Sequence, residues 1–156
     1  MFRAAGAALA LIVAAAPLQA QQPLTHHSIS LAQARTMLEG ALAKAQERKD
    51  QVAIVVVDDH GDVIASLRMD GAKAFVYELA RRKAVTSADW GGPSKNFQDA
   101  LAAGRTGLLA MDRVIPLAGG LPVKMGEETI GAIATSGGSG ADGDTVISQA
   151  GLDALK

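Results

Sequence analysis

The apolar residues of this chain change period along its length, and each change marks an element. Ala4 to Ala16 is an unbroken run of apolar and small residues. From Leu31 the spacing becomes three-and-four: Leu31, Ala34, Leu38, Ala41, Leu42 and Ala45 share one face and predict a helix over about Leu31–Lys49, with Ser30 as its N-cap. Gln51 to Val57 is β-branched and almost wholly apolar, which predicts a strand buried on both faces. Asp58-Asp59-His60-Gly61-Asp62 is turn chemistry, with Gly61 supplying a positive φ. Val63–Met69 then completes a hairpin, and Asp70-Gly71 ends it.

Helical spacing returns over about Lys73–Asp89, where Val76, Leu79, Ala80, Lys83, Ala84 and Ser87 share a face. Gly91-Gly92-Pro93 stops this helix, and Ser94 is placed to cap a short one over Asn96–Ala103. Leu108–Ala110 and Arg113–Leu117 read as short strands, counted as one broken strand in the order that follows. Leu121–Met125 and Thr129–Thr135 read as a hairpin around Gly126, and Thr145–Leu155 as a closing helix. The order α-β-β-α-(α)-β-β-β-α predicts a mixed α/β (α+β) fold, with helices packed on a mostly antiparallel five-stranded sheet. Neither an internal repeat nor a dividing linker interrupts it.

The first apolar run falls short of a bilayer span and no stop-transfer segment follows it. Arg3 ahead of it and Pro17-Leu18-Gln19-Ala20 behind it complete the pattern of a secretory signal peptide over residues 1–20. Residues 21–30 then form an N-terminal arm and residues 31–156 the domain, in a periplasmic or secreted protein with no membrane insertion after cleavage. Charge adds exclusions. The 156-residue chain carries a net −1, and losing Arg3 makes the remainder more acidic, so there is no basic footprint for nucleic acid. The chain has no cysteine, which removes disulfides, thiolate catalysis and iron–sulfur clusters together.

Few motifs carry chemistry. Gly138-Ser139-Gly140-Ala141-Asp142-Gly143 fits a dinucleotide-binding glycine pattern, but the second strand and acidic residue such a site needs have no room before Lys156. A calcium β-roll needs many repeats, and there is one. What remains is a flexible glycine turn at a helix start, with amides that could hold an anion. The Asp58–Asp62 cluster reads as a solvated hairpin loop rather than a metal site. There is no G-x-S-x-G or H-E-x-x-H, and His60 is the one histidine within the body of the domain, so no catalytic set is assigned.

Several short motifs together resemble the GlcG/HbpS family of small haem-binding-type domains. They are Arg68-Met69-Asp70-Gly71-Ala72, Lys83-Ala84 with Thr86, Gly119-Gly120 with Pro122, Gly131-Ala132-Ile133, Ser136-Gly137-Gly138, Asp144, and Ala150-Gly151 with Ala154-Leu155. The resemblance covers about Leu31 to Leu155. It implies a profilin-like sheet with helices, homo-oligomeric assembly, and a non-catalytic haem-binding or haem-sensing role, with a membrane sensor or a metabolic enzyme as further partner. The alternative is a small-molecule (organic acid) enzyme or accessory protein of a metabolic operon using the same fold.

Given haem, elimination leaves His26 and His27 as iron ligands, since cysteine is absent and His60 sits in a turn. Tyr77 and the methionines Met69, Met111 and Met125 stay as other ligands, and Arg81 and Arg82 as propionate contacts. Aromatic residues are scarce beyond Phe75, Tyr77, Trp90 and Phe97, which points to a shallow or inter-subunit site.

Overall fold

The structure, a computed structural model, describes residues 25–156. The expected signal peptide over residues 1–20 and the start of the arm lie outside the described residues. Helix α1 spans Leu31–Arg48 and begins where the sequence places it. Ser30 Oγ accepts from the Gln33 N–H (3.2 Å), while Gln33 Oε1 accepts from the Ser30 N–H (3.0 Å). This reciprocal box satisfies amides that the first turn would otherwise leave open.

Strands β1 (Ala53–Asp58) and β2 (Val63–Arg68) form the first hairpin, and β3 (Gly120–Met125) and β4 (Glu128–Ser136) the second. The strand order is β2-β1-β4-β3, and every pairing is antiparallel. Central β1 is buried on both faces, as its unbroken apolar run predicts. Helices α1 and α4 (Gly143–Asp153) cover one face, and α2 (Ala74–Trp90) covers the other.

The two faces are packed with different side chains. Met37, Ile54, Val56, Ile133 and Ile147 fill the α1/α4 side. Burial of each large aliphatic chain there contributes about 1.5–3 kcal/mol. The α2 side is lined by Ala53, Ala80, Ala84, Ala88, Ala132 and Ala134, with Val55 and Val57. Small residues let the α2 backbone approach the sheet closely. A Cβ at Gly120 would lie 2.3 Å from the Lys83 carbonyl oxygen, so only glycine fits there.

The expected five strands are four. Leu108–Ala110 lies in a 3-10 turn over Thr106–Ala110, and Arg113–Leu117 is irregular. Side chains take the backbone groups that a strand would have used. The Ile115 N–H donates to Thr86 Oγ1 (2.9 Å), the Leu117 carbonyl accepts from Ser94 Oγ (2.7 Å), and the Ala118 N–H donates to Gln98 Oε1 (2.7 Å). With those groups already paired, the segment has little left to offer a sheet.

Ser94 is engaged in the same way. Its hydroxyl also accepts from the Gly120 N–H, so it does not cap the short helix α3 (Lys95–Ala102). A small separate core of Phe97, Leu108 and Val114 underpins this region.

Candidate functional site

Two features with chemical potential emerge from this frame, and a third holds the arm. The first is a junction where α2, β4, the glycine-rich loop and α4 meet. Lys83 lies on the inward face of α2 between Ala80 and Ala84 and is 3% exposed. Its Nζ is 2.6 Å from Asp144 Oδ2, 3.2 Å from the Thr135 carbonyl and 3.4 Å from Ser136 Oγ. Asp144, in the first turn of α4, accepts the Gly138 N–H through its other oxygen (2.7 Å). Ser148 Oγ donates to the Gly119 carbonyl (2.7 Å) and lies 2.9 Å from Thr135 Oγ1. A cleft of about 270 Å³ opens beside this pair.

The second feature is an apolar end. Trp90 and Phe97 stack edge to face, 5.0 Å between centroids. They line a cleft of about 410 Å³ with Leu108, Met111 and Arg105. Trp90 (60%) and Met111 (43%) are exposed there, and Leu109 (66%), next in sequence to the lining Leu108, is exposed as well.

An adjoining cleft shares Trp90, Phe97 and Met111 and reaches Asp112 and Arg113. Those last two also line a groove with Arg81 and Arg82. Arg113 is held bidentately by Asp89, whose hydrogen bonds hold the guanidinium pKa above its ordinary value. Arg113 also donates to the His60 carbonyl (2.9 Å). Glu78 grips Arg81 with both oxygens; the hydrogen bond raises the arginine's pKa and lowers the carboxylate's. Arg82 makes no side-chain hydrogen bond among the described residues, which leaves its fork available.

The third feature is the arm itself. Ile29 is buried and its N–H pairs with the Ile130 carbonyl (3.0 Å). His27 Nδ1 is 2.8 Å from Glu128 Oε2, and this hydrogen bond lowers the carboxylate's pKa. His26 Nδ1 is 3.9 Å from Asp59 Oδ2, and its ring centroid is 6.0 Å from that of His60. Burial pushes the Asp59 pKa up, but a hydrogen bond from the Ser28 side chain and the nearby imidazoles bring it below the ordinary value. The turn's Asp58 is spent locally, accepting the His60 and Asp62 N–H groups through one oxygen. Among the described residues no group of histidines and carboxylates is arranged to hold a metal ion.

The residues singled out from sequence therefore scatter. His26 leads by contact through His60 and Arg113 to the groove of Arg81 and Arg82. His27 is held by Glu128 instead. Tyr77 is half-buried, its hydroxyl 3.3 Å from Ser66 Oγ on β2. The Lys83–Asp144 pair and Arg113 were not singled out as site residues. The available signal for the pair was a lysine in an alanine-lined helical face, together with the presence of both residues among the motifs that carry the resemblance.

Four antiparallel strands between helical layers, with those motif residues converging on one junction, define a class of small α+β domain. A family profile described as haem degrading protein HbpS-like matches residues 29–153, so the chain belongs to that haem-related family. It is 30% identical to the protein GlcG of Escherichia coli K12, over 69% of this chain and 81% of GlcG. A 15.0 kDa protein of Citrobacter freundii from the dhaT–dhaS intergenic region is 31% identical, over 81% of this chain and 91% of that protein.

Among solved structures, a double mutant of HbpS from Streptomyces reticuli superposes with a TM-score of 0.81 at 30% identity, covering 92% of this chain and 99% of HbpS. A complex of PduOC with haem superposes with a TM-score of 0.75 at 27% identity, covering 81% of this chain and 94% of PduOC.

Proposed function

We propose that this protein is an exported, non-catalytic haem-binding protein that works as a homo-oligomer. The observation that carries the reading is the continuity of the apolar cleft at Trp90, Phe97 and Met111 with the groove of Arg113, Arg81 and Arg82. Haem needs an apolar slot, cations for its propionates and a Lewis base for iron. Here the slot and the cations adjoin, and membership of a haem-related family and likeness to a haem-bound domain support the same ligand.

Iron ligation falls to His26 or His27. Both imidazoles are largely exposed and meet their carboxylates at Nδ1, which leaves Nε2 of each to face iron. An inter-subunit site would let a second copy cover the exposed tryptophan. Haem itself is supplied with its redox chemistry; the chain's part is to bind, orient and shield it.

Adding hemin to the chain starting at Gln21 is expected to give a shifted Soret band. The His26→Ala/His27→Ala double mutant should weaken binding by about tenfold or more, the loss of one strong interaction. Light scattering of the same samples should give a mass above that of one chain. An unchanged Soret position and affinity in the double mutant would move the ligand to Met111 or Tyr77, and a flat spectrum in the wild type would remove haem. Export is checked by N-terminal sequencing of native protein, which should begin near Gln21.

A further inference from the structure

The haem reading leaves the Lys83–Asp144 junction unused, and its construction is hard to explain by stability alone. Burying a lysine and an aspartate costs several kcal/mol of desolvation per ion, and a well-packed apolar pair of the same volume is often at least as stable. Yet the surroundings are shaped around this pair. A Cβ at Gly119 would stand 2.7 Å from Asp144 Cβ and 3.3 Å from Lys83 Nζ, and one at Gly138 would stand 3.0 Å from Asp144 Oδ1. A side chain at Gly119 would press on the ion pair, and one at Gly138 would first meet the Gly143 backbone, 2.7 Å away.

The pair also borders open space rather than sealed core. Lys83, Asp144 and Ser136 line the 270 Å³ cleft with Gln98, Leu117 and Ala141. Hydrogen-bonding capacity remains unused there. The third Nζ contact, to Ser136 Oγ at 3.4 Å, is long and yields readily to a better acceptor. Gln98 Nε2 and the amides of Gly140 and Ala141 have no acceptor among the described residues. The start of α4 adds its partial positive charge. These exposed donors line one cleft beside a buried cation, and the group they suit is a carboxylate. Asp144 Oδ2 accepts from Lys83 alone and has capacity for one more donor, such as a hydroxyl next to that carboxylate.

We infer that this cleft is a second, independent binding site, taking a small hydroxylated carboxylate with Lys83, Ser136 and the loop amides on the carboxylate and Asp144 on the hydroxyl. Its volume, about 270 Å³, falls just below the usual range for ligand clefts, so it admits a molecule of a few carbons and excludes a porphyrin. It shares no lining residue with the Trp90, Phe97 and Arg113 clefts, so the inference stands apart from haem.

The test is isothermal titration of the chain starting at Gln21 with lactate and with propionate, which differ by one hydroxyl. Saturable binding is expected, with lactate about two- to tenfold tighter, the worth of one hydrogen bond. Hemin added beforehand should leave lactate affinity unchanged. Lys83→Met/Asp144→Asn removes both charges at similar volume and should weaken lactate by at least about tenfold. Ala141→Phe, an exposed loop substitution that fills the mouth, should do the same without touching the fold. Absence of heat with either acid, or retained affinity in Ala141→Phe, overturns the inference, and the second holds even if the charge-removing variant fails to fold.

Discussion

The Lys83 junction and the His26-His27 arm are opposites. At the junction one cation, 3% exposed, is held by three oxygens from two elements. At the arm two imidazoles, 64% and 49% exposed at the side chain, each face one carboxylate, His26 at 3.9 Å and His27 at 2.8 Å. Low dielectric makes the first arrangement strong when complete and costly when broken. Solvent screening makes the second cheap to form and cheap to release. A firm cleft suits a small, selected ligand, whereas a loosely held imidazole suits a ligand exchanging onto iron.

The largest expected effect breaks the junction. Lys83→Ala leaves Asp144 without its cation and opens a hole under α2. The expected loss is about 3 kcal/mol, the low end for a broken buried pair because Asp144 stays partly exposed. Urea unfolding measures it, and a loss below about 1 kcal/mol would make the junction no firmer than a surface pair.

Next comes acid, acting on the far side of the same loop. Asp50 is buried and accepts the Ser139 N–H (3.1 Å) and Arg48 Nε (2.8 Å). Hydrogen bonding from Ser139 chiefly, then Arg48, lowers its pKa below 3.8 against the opposing effect of burial. The folded pKa is depressed, so the stability it contributes is present above 3.8 and is lost as pH falls through the folded value. Unfolding midpoints should decline across that window in the wild type and decline less in Asp50→Asn.

The smallest effect is at the arm. The His27 hydrogen bond lowers the Glu128 pKa below 4.5, so its contribution has the same sign: present above 4.5 and lost on acidification. Glu128 is at the surface, and His27→Ala should barely move the melting temperature at neutral pH. A drop comparable to that of Lys83→Ala would show the arm to be structural and would weaken its assignment as an exchangeable ligand.

The mixed α+β class, the Ser30 cap, the hairpin at Gly61 and the doubly buried β1 were all legible in the sequence. Each follows from local chemistry: a periodic apolar face, a side-chain oxygen at a helix start, a glycine in a turn, a β-branched run. The strand count was not, because Arg113–Leu117 is apolar enough to pair and is diverted by side chains from α2 and α3.

Chemistry divides along the same line. Histidine announces itself by residue type, so sequence alone raises His26 and His27 as candidates. Lys83 stands out in sequence only as a lysine on an apolar helical face, and its partner is set when α2 is laid on an alanine-lined sheet against Asp144, 61 residues further along the chain. Sequence alone settled the main helices, the two hairpins and the lack of cysteine, because those depend on residue type and on neighbours a few residues away. Tertiary structure alone decided which charge is buried, what partners it and where a cleft opens, because those depend on packing between distant segments.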